Sequence, residues 1–278
     1  MSGIPGVRTI SNFLRTAMMP VGRALYIYGG GWNREDTGSS AEARTLGLSP
    51  LWGRFFDRQD GTFSYRGYDP TPPGGGSAAC YYPHNGVNEY HGEGLDCSGY
   101  LGWVLYNTFE TESGREGYVV PSSSFAERLA DRGWGRRTRP GSGLTGGPAA
   151  HEIRPGDIMS MKGHVWISLG SCPDGSIVIA HSSPTESRAG RPGGGVQISA
   201  VGPDGSCEAF RLADRCMAEH FPGWYGRYMT SLKDPAVYLA AEDGASGLFT
   251  WDTSCGRGLT DPEGVRDMTA AEVLEVLF

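Results

Sequence analysis

The chain contains no run of about eighteen or more apolar residues, so no segment has the length and polarity of a membrane span. It has no basic excess either. Lys and Arg number 24 against 31 Asp and Glu, a formal net charge of −7, which offers phosphates no basic footprint and argues against nucleic acid as a partner. Cysteine is sparse. Cys80, Cys97, Cys172, Cys207, Cys216 and Cys255 are too few for a disulfide scaffold in 278 residues, although Cys207 and Cys216 are close enough in sequence for pairing to stay open. No Cys-x-x-Cys or His-x-x-x-His spacing occurs, so no metal or cofactor is expected. The first residues, Met-Ser-Gly-Ile-Pro-Gly-Val-Arg, lack a basic segment leading into an apolar one and lack a small-residue cleavage site. That leaves a cytoplasmic protein, export without a signal, or numbering after signal removal. Internal repeats are absent.

Glycine and proline are plentiful, at 44 and 18 residues, and aromatics make up 11% of the chain. This composition predicts many turns around a modest regular core and is incompatible with wholesale disorder. Residues 9–22 read as a helix with Ser11 as one candidate cap, leading into Ala24–Tyr28 and a glycine run. Residues 32–93 show no strong periodicity and read as a long insertion, with short helical pieces at 40–46 and 49–56 and two histidines, His84 and His91. A segment of this length inside a domain is usually functional or mobile. Ser124-x-x-Glu127 has the form of a capping box opening a helix from Phe125 to Arg132, and a Gly/Pro/Thr-rich loop follows at 139–148. The pattern then turns to strands. Arg154-Pro-Gly-Asp157 enters one at Ile158. His164–Leu169 alternates, with Val165, Ile167 and Leu169 on one face. Pro173-Asp-Gly175 turns the chain into a return strand at 176–181, 196–201 is a further strand, and 224–239 holds one more that ends the main domain. The tail from 240 carries one amphipathic helix, Thr269–Leu277, and reads as a short extension packed on the core.

The densest chemistry lies at Gly94-Leu-Asp-Cys-Ser-Gly-Tyr100. Tyr100, Leu101, Val104, Leu105 and Phe109 recur at helical spacing, Asp96 is a good N-cap, and Cys97 falls in the first turn. A thiol there faces unpaired backbone N–H groups and the positive end of the helix dipole, both of which favour the nucleophilic thiolate. His164 lies opposite the Val165/Ile167/Leu169 face. If that apolar face turns inward, His164 points to the other side of the sheet, where the Cys97 helix would lie. His181 ends the neighbouring strand within reach of the His164 ring. Cysteine, base and orienting group in this arrangement form a nucleophilic triad, with His164 taking the thiol proton and returning it to the leaving amine.

These blocks together resemble a family. Asp96-Cys-Ser-Gly99, Arg154-Pro-Gly-Asp157, Gly163-His-Val165 and Ile179-Ala-His-Ser-Ser183 are similar to the NlpC-type cell-wall cysteine peptidases, as are Tyr26-Ile-Tyr-Gly-Gly30 and Pro121–Glu127. The matched blocks run in family order from about residue 9 to 201, leaving 32–93 unmatched. The resemblance implies a papain-like α+β domain over 1–239: a central antiparallel sheet with the nucleophile helix packed on it, followed by the extension 240–278. It implies hydrolysis of an amide in peptidoglycan stem peptides or muropeptides, between γ-D-glutamate and a diamino acid, and hence a cell-wall or extracellular site of action. Cys97, His164 and His181 would be catalytic. Tyr26 would line the site, and Asp96 and Ser98 would meet a substrate amine. Three features depart from the family. The 32–93 insertion enters just before the nucleophile and would wall or cover the cleft. Trp166 stands where relatives carry a small residue and would narrow the pocket. No wall-binding module is recognisable. The alternatives are an amidase or acyltransferase on another γ-glutamyl or acyl compound, and a binding module that has lost catalysis.

Overall fold

A computed structural model describes residues 2–27, 30, 46–58, 94–115, 117–138, 153–188, 192–240 and 244–278. The helical piece expected at 40–46, nearly all of the 32–93 insertion and the 139–148 loop lie outside these residues; the piece expected at 49–56 is helix α2, Pro50–Arg58. The fold is mixed α/β, built on a seven-stranded sheet.

Helix α1, Ile10–Met18, is capped by Thr9 rather than Ser11. The Thr9 side chain accepts from the Asn12 N–H, while Ser11 is buried in the first turn. Pro20 ends the helix, because a proline there cannot donate to the preceding turn. Helix α3, Cys97–Phe109, is buried along its whole length, as expected of a helix that is apolar on all sides. Gly102 is required where it passes Tyr118: a Cβ there would sit 2.5 Å from the Tyr118 carbonyl oxygen. The Tyr100 hydroxyl donates to the Ala17 carbonyl and ties α3 to α1.

Helix α4, Phe125–Asp131, lacks the expected capping box. Ser122–Ser124 form a 3-10 turn, and Ser124 makes no side-chain cap. Ser160, in a strand, supplies the missing acceptor by taking the Ala126 N–H at 2.9 Å. Tertiary structure here replaces a local cap.

The strands are β1 Gly135–Thr138, β2 Ile158–Met161, β3 His164–Ser171, β4 Ile177–Glu186, β5 Pro192–Val201, β6 Leu232–Lys233 and β7 Gly247–Trp251. Their order is β1-β7-β2-β3-β4-β5-β6. All pairings are antiparallel except β5 with β6. The β3–β4 connection is the expected Pro-Asp-Gly turn, with Gly175 at positive φ and its N–H donating to Cys172.

The segment after 240 is more than a packed extension. Strand β7 runs inside the sheet between β1 and β2, and helix α8, Ala270–Leu277, buries Val273, Leu274 and Leu277 under a Thr269/Glu272 capping box. In 224–239 the expected strand is only the two residues of β6, followed by a short helix α7, Pro235–Tyr238. Between β5 and β6 lie helix α5, Glu208–His220, and a short helix α6, Pro222–Tyr225. Cys207 and Cys216 are free thiols at the cap and in the third turn of α5. Nine residues of helix separate them by about 13 Å, which no disulfide spans.

A buried ion pair anchors the tail. Arg266 Nη1 lies 2.8 Å from Asp157 Oδ1, with the two side chains 7% and 0% exposed. The other Asp157 oxygen accepts from the Arg154 N–H and from Thr250. Removing one member of such a pair strands a charge in a dry site. Arg266→Ala is therefore expected to lower stability by about 3–5 kcal/mol in urea unfolding. The double variant Asp157→Asn, Arg266→Met is expected to recover part of that loss.

Candidate active site

Cys97 is placed by backbone stitching. Residues 22–26 cross the start of β5: Gly22 N–H donates to Val196, Val196 N–H to Ala24, and Tyr26 N–H to Gly194. Gly195 makes the crossing possible, since a Cβ on it would sit 2.2 Å from the Ala24 oxygen, and its φ of +150° is open to glycine. Leu95 N–H then donates to Leu25, and Ser182 Oγ to the Leu95 carbonyl. The residues just before Cys97 are thus fixed to β4 and, through Leu25, to β5.

Asp96 caps α3 as expected. Its Oδ1 accepts the Gly99 N–H at 2.6 Å and the Ser98 hydroxyl at 2.8 Å. Asp96 and Ser98 are both buried, and the bonds between them serve the helix end. Tyr26 is brought alongside through the Leu25 bonds and is also buried.

Helix α3 packs on the sheet face that carries Val165, Ile167 and Leu169. This is opposite to the side expected from the alternation. The other face holds a second cluster with Met159, Met161, Trp166 and Ile179. Cys97 nevertheless reaches the start of β3, where its thiol faces the main chain on either side of His164. The Cys97 thiol lies 3.9 Å from the Gly163 carbonyl oxygen, and the N–H groups of Val165, Ser98 and Cys97 itself face the sulfur. Among the described residues no hydrogen bond joins the thiol to the His164 ring.

The two histidines are joined. His164 Nε2 lies 2.8 Å from His181 Nδ1, and His181 Nε2 lies 2.9 Å from Ser199 Oγ. With both rings neutral, one proton order leaves His164 able to act as a base. His164 donates from Nε2 to His181, and His181 donates from Nε2 to Ser199. That order leaves the His164 Nδ1 lone pair for the thiol proton.

Burial dominates the electrostatics. It pushes the Cys97 thiol well above its ordinary range, the Asp96 carboxylate adds to the rise, and the three N–H groups only oppose it. The helix-end effect expected from sequence is therefore outweighed by desolvation. Burial, and after it the Lys233 charge, lowers His164 to about 3. Burial, His164 and Lys233 together hold His181 well below the usual imidazole range. The resting site contains a neutral thiol and two neutral rings.

Trp166 is fully buried. It does not narrow a pocket; its Nε1 donates to the Tyr238 carbonyl and so holds a residue that sequence reading misses. The Tyr238 ring stacks edgewise 5.4 Å from His164 and 6.1 Å from His181. Its hydroxyl bonds Ser183, and burial raises it above the ordinary tyrosine range. Lys233 also belongs to the site. Its ammonium lies 3.4 Å from Ser183 Oγ and 5.5 Å from the Tyr238 ring centre, and burial lowers it to about 8. Ser199 could have been found by its alternation along β5. Lys233 and Tyr238 carry no local signal.

A cleft of about 900 Å³, lined by Arg136, Arg154, Thr250, Trp251 and Arg266 among others, lies apart from these residues. Ligand atoms of Cys172, Asp174 and Glu208 come within 4.8 Å of one another at the far end of β3. Both Asp174 oxygens there already accept hydrogen bonds from Ser176 and the Glu208 N–H. No helix among the described residues is long and apolar enough to cross a membrane. No family model, no curated protein and no solved structure matches this chain.

The lowered His164 sets a pH dependence. Between pH 6.5 and about 3 the unfolded chain protonates this ring while the folded protein does not. Stability is thus fullest above about pH 6.5 and is lost as pH falls toward 3. The urea midpoint of the native protein is expected to fall more steeply from pH 6.5 to 4 than that of His164→Asn. Equal slopes would show that His164 titrates normally when folded.

Proposed function

We propose that this protein is a cysteine peptidase that hydrolyses an amide of peptidoglycan stem peptides or muropeptides, with Cys97 as nucleophile, His164 as base and His181 as orienting group. The observation that carries this reading is the relay His164–His181–Ser199, which begins one residue after Gly163, the residue whose carbonyl faces the Cys97 thiol. A structural histidine has no need of a second histidine on one nitrogen and a helix-end thiol beside its strand.

In this reading the fold is of the papain-like kind. The amide carbonyl enters beside Cys97. The thiol swings from the Gly163 carbonyl toward His164 Nδ1, and its proton moves to the ring as sulfur attacks carbon. The Cys97 N–H at the helix end meets the developing oxyanion. His164 then protonates the leaving amine, and water releases the acyl group from the thioester. His181 accepts from His164 Nε2–H throughout, which holds the ring orientation without adding a negative charge. The peptidoglycan substrate, γ-D-glutamyl to diamino acid, is supported by the sequence blocks around these residues.

The test is a defined peptide, L-Ala-γ-D-Glu-diamino acid-D-Ala, with products read by mass spectrometry. The native protein is expected to release L-Ala-γ-D-Glu, and Cys97→Ala to release none while keeping the native circular dichroism. Equal turnover by the two proteins would overturn the reading. Turnover only on other γ-glutamyl amides would retain the chemistry and move the substrate.

A further inference from the structure

One charged side chain beside the triad has no role in the chemistry just described. Lys233 enters from β6, the strand that pairs parallel with β5. Its ammonium is partly buried, and among the described residues no carboxylate pairs with it. Its neighbours among those residues are uncharged: the Ser183 hydroxyl at 3.4 Å and the face of Tyr238 at 5.5 Å. Burying a cation without a counter-ion is unfavourable. This one also acts against the base, since its charge disfavours protonation of both His164 and His181. A lysine that opposes its own active site is explained if an anion from outside completes it.

We propose that Lys233 is the specificity-determining residue of this site and takes a free carboxylate on the acyl half of the substrate, next to the amide that Cys97 attacks. The proposal rests on the amide-hydrolase reading of Cys97. A single negative charge suits the surroundings: one ammonium and the Tyr238 hydroxyl are in place beside Ser183, whose own proton goes to the Pro184 carbonyl. A dianionic phosphate would be left with one charge unmatched. Binding a carboxylate here neutralises Lys233 and removes its opposition to an imidazolium at His164. The donor's own charge would then raise the basicity of the group that deprotonates Cys97, so acidic acyl donors gain in the chemical step as well as in binding.

The test compares two peptides, L-Ala-γ-D-Glu-Lys-D-Ala and its counterpart in which the D-glutamyl α-carboxylate is a carboxamide. The native protein is expected to favour the carboxylate by about 10- to 100-fold in kcat/KM, the range of a charged hydrogen bond. In Lys233→Met the two rates should converge, and Lys233→Arg should restore part of the preference. Methionine replaces the lysine stem and removes a partly buried charge, so the variant is expected to fold. Calorimetry with Cys97→Ala gives a readout independent of turnover: the carboxylate peptide should bind more tightly, and adding Lys233→Met should abolish the difference. Hydrolysis of both peptides by the native protein without preference would overturn the role of Lys233 and leave the hydrolase reading. Preferential binding without hydrolysis would overturn the hydrolase reading and leave the anion site. Neither binding nor hydrolysis would overturn both.

Discussion

Helix α3 has no face left for solvent, and that constraint sets the position of everything reactive. All thirteen of its residues are buried, so the helix can neither rotate nor slide without opening the core. Its first turn must then meet whatever lies at that end of the sheet, which is the opening of β3 at His164. The approach is made rigid on the other side by the crossing of residues 22–26 over β5 and by the bonds from Leu25 and Ser182 to Leu95. Cys97 is held by main-chain hydrogen bonds and packing, and its thiol lies 3.9 Å from the Gly163 carbonyl with three N–H groups facing the sulfur.

The same burial decides the charge state. A thiol at a helix N-terminus is expected to ionise readily, yet here the cost of removing a thiolate from water exceeds what three N–H groups return. Histidine is affected in the opposite sense, because its charged form is the protonated one, and His164 falls to about 3. Thiol and imidazole are therefore driven apart, and no resting thiolate–imidazolium pair forms. In the proposed hydrolysis, charge separation would arise during the reaction, with the oxyanion and the leaving amine as its partners.

The parts legible in sequence are those with a local or periodic cause. The Cys97 helix, the β3–β4 turn and the tail helix all carry such signals and form where those signals point, and His164 and His181 fall on neighbouring strands as their positions imply. Where the cause is tertiary, sequence reading fails. Ser160 caps α4 from another element, so the Ser-x-x-Glu pattern misleads. Strand β7 is five residues, Gly-Leu-Phe-Thr-Trp, that gain meaning only between β1 and β2. The alternation of β3 separates two faces correctly but cannot say which one the helix covers, because both faces carry core clusters. Trp166 reads as a pocket residue by proximity to His164, yet its indole is spent on the Tyr238 backbone.

The choice of histidine at position 181 bears on how Lys233 can be used. A carboxylate there would stabilise the imidazolium more strongly, but it would also neutralise Lys233 from within the protein, because Lys233 already acts electrostatically on the ring at 181. A neutral ring hydrogen-bonded to Ser199 orients His164 without neutralising the lysine charge. An uncharged relay and a cation with no carboxylate partner among the described residues are in this sense one arrangement. On the proposed reading, the relay gives up part of the internal stabilisation of the base, and the remaining part would come from a negative charge that arrives with the substrate.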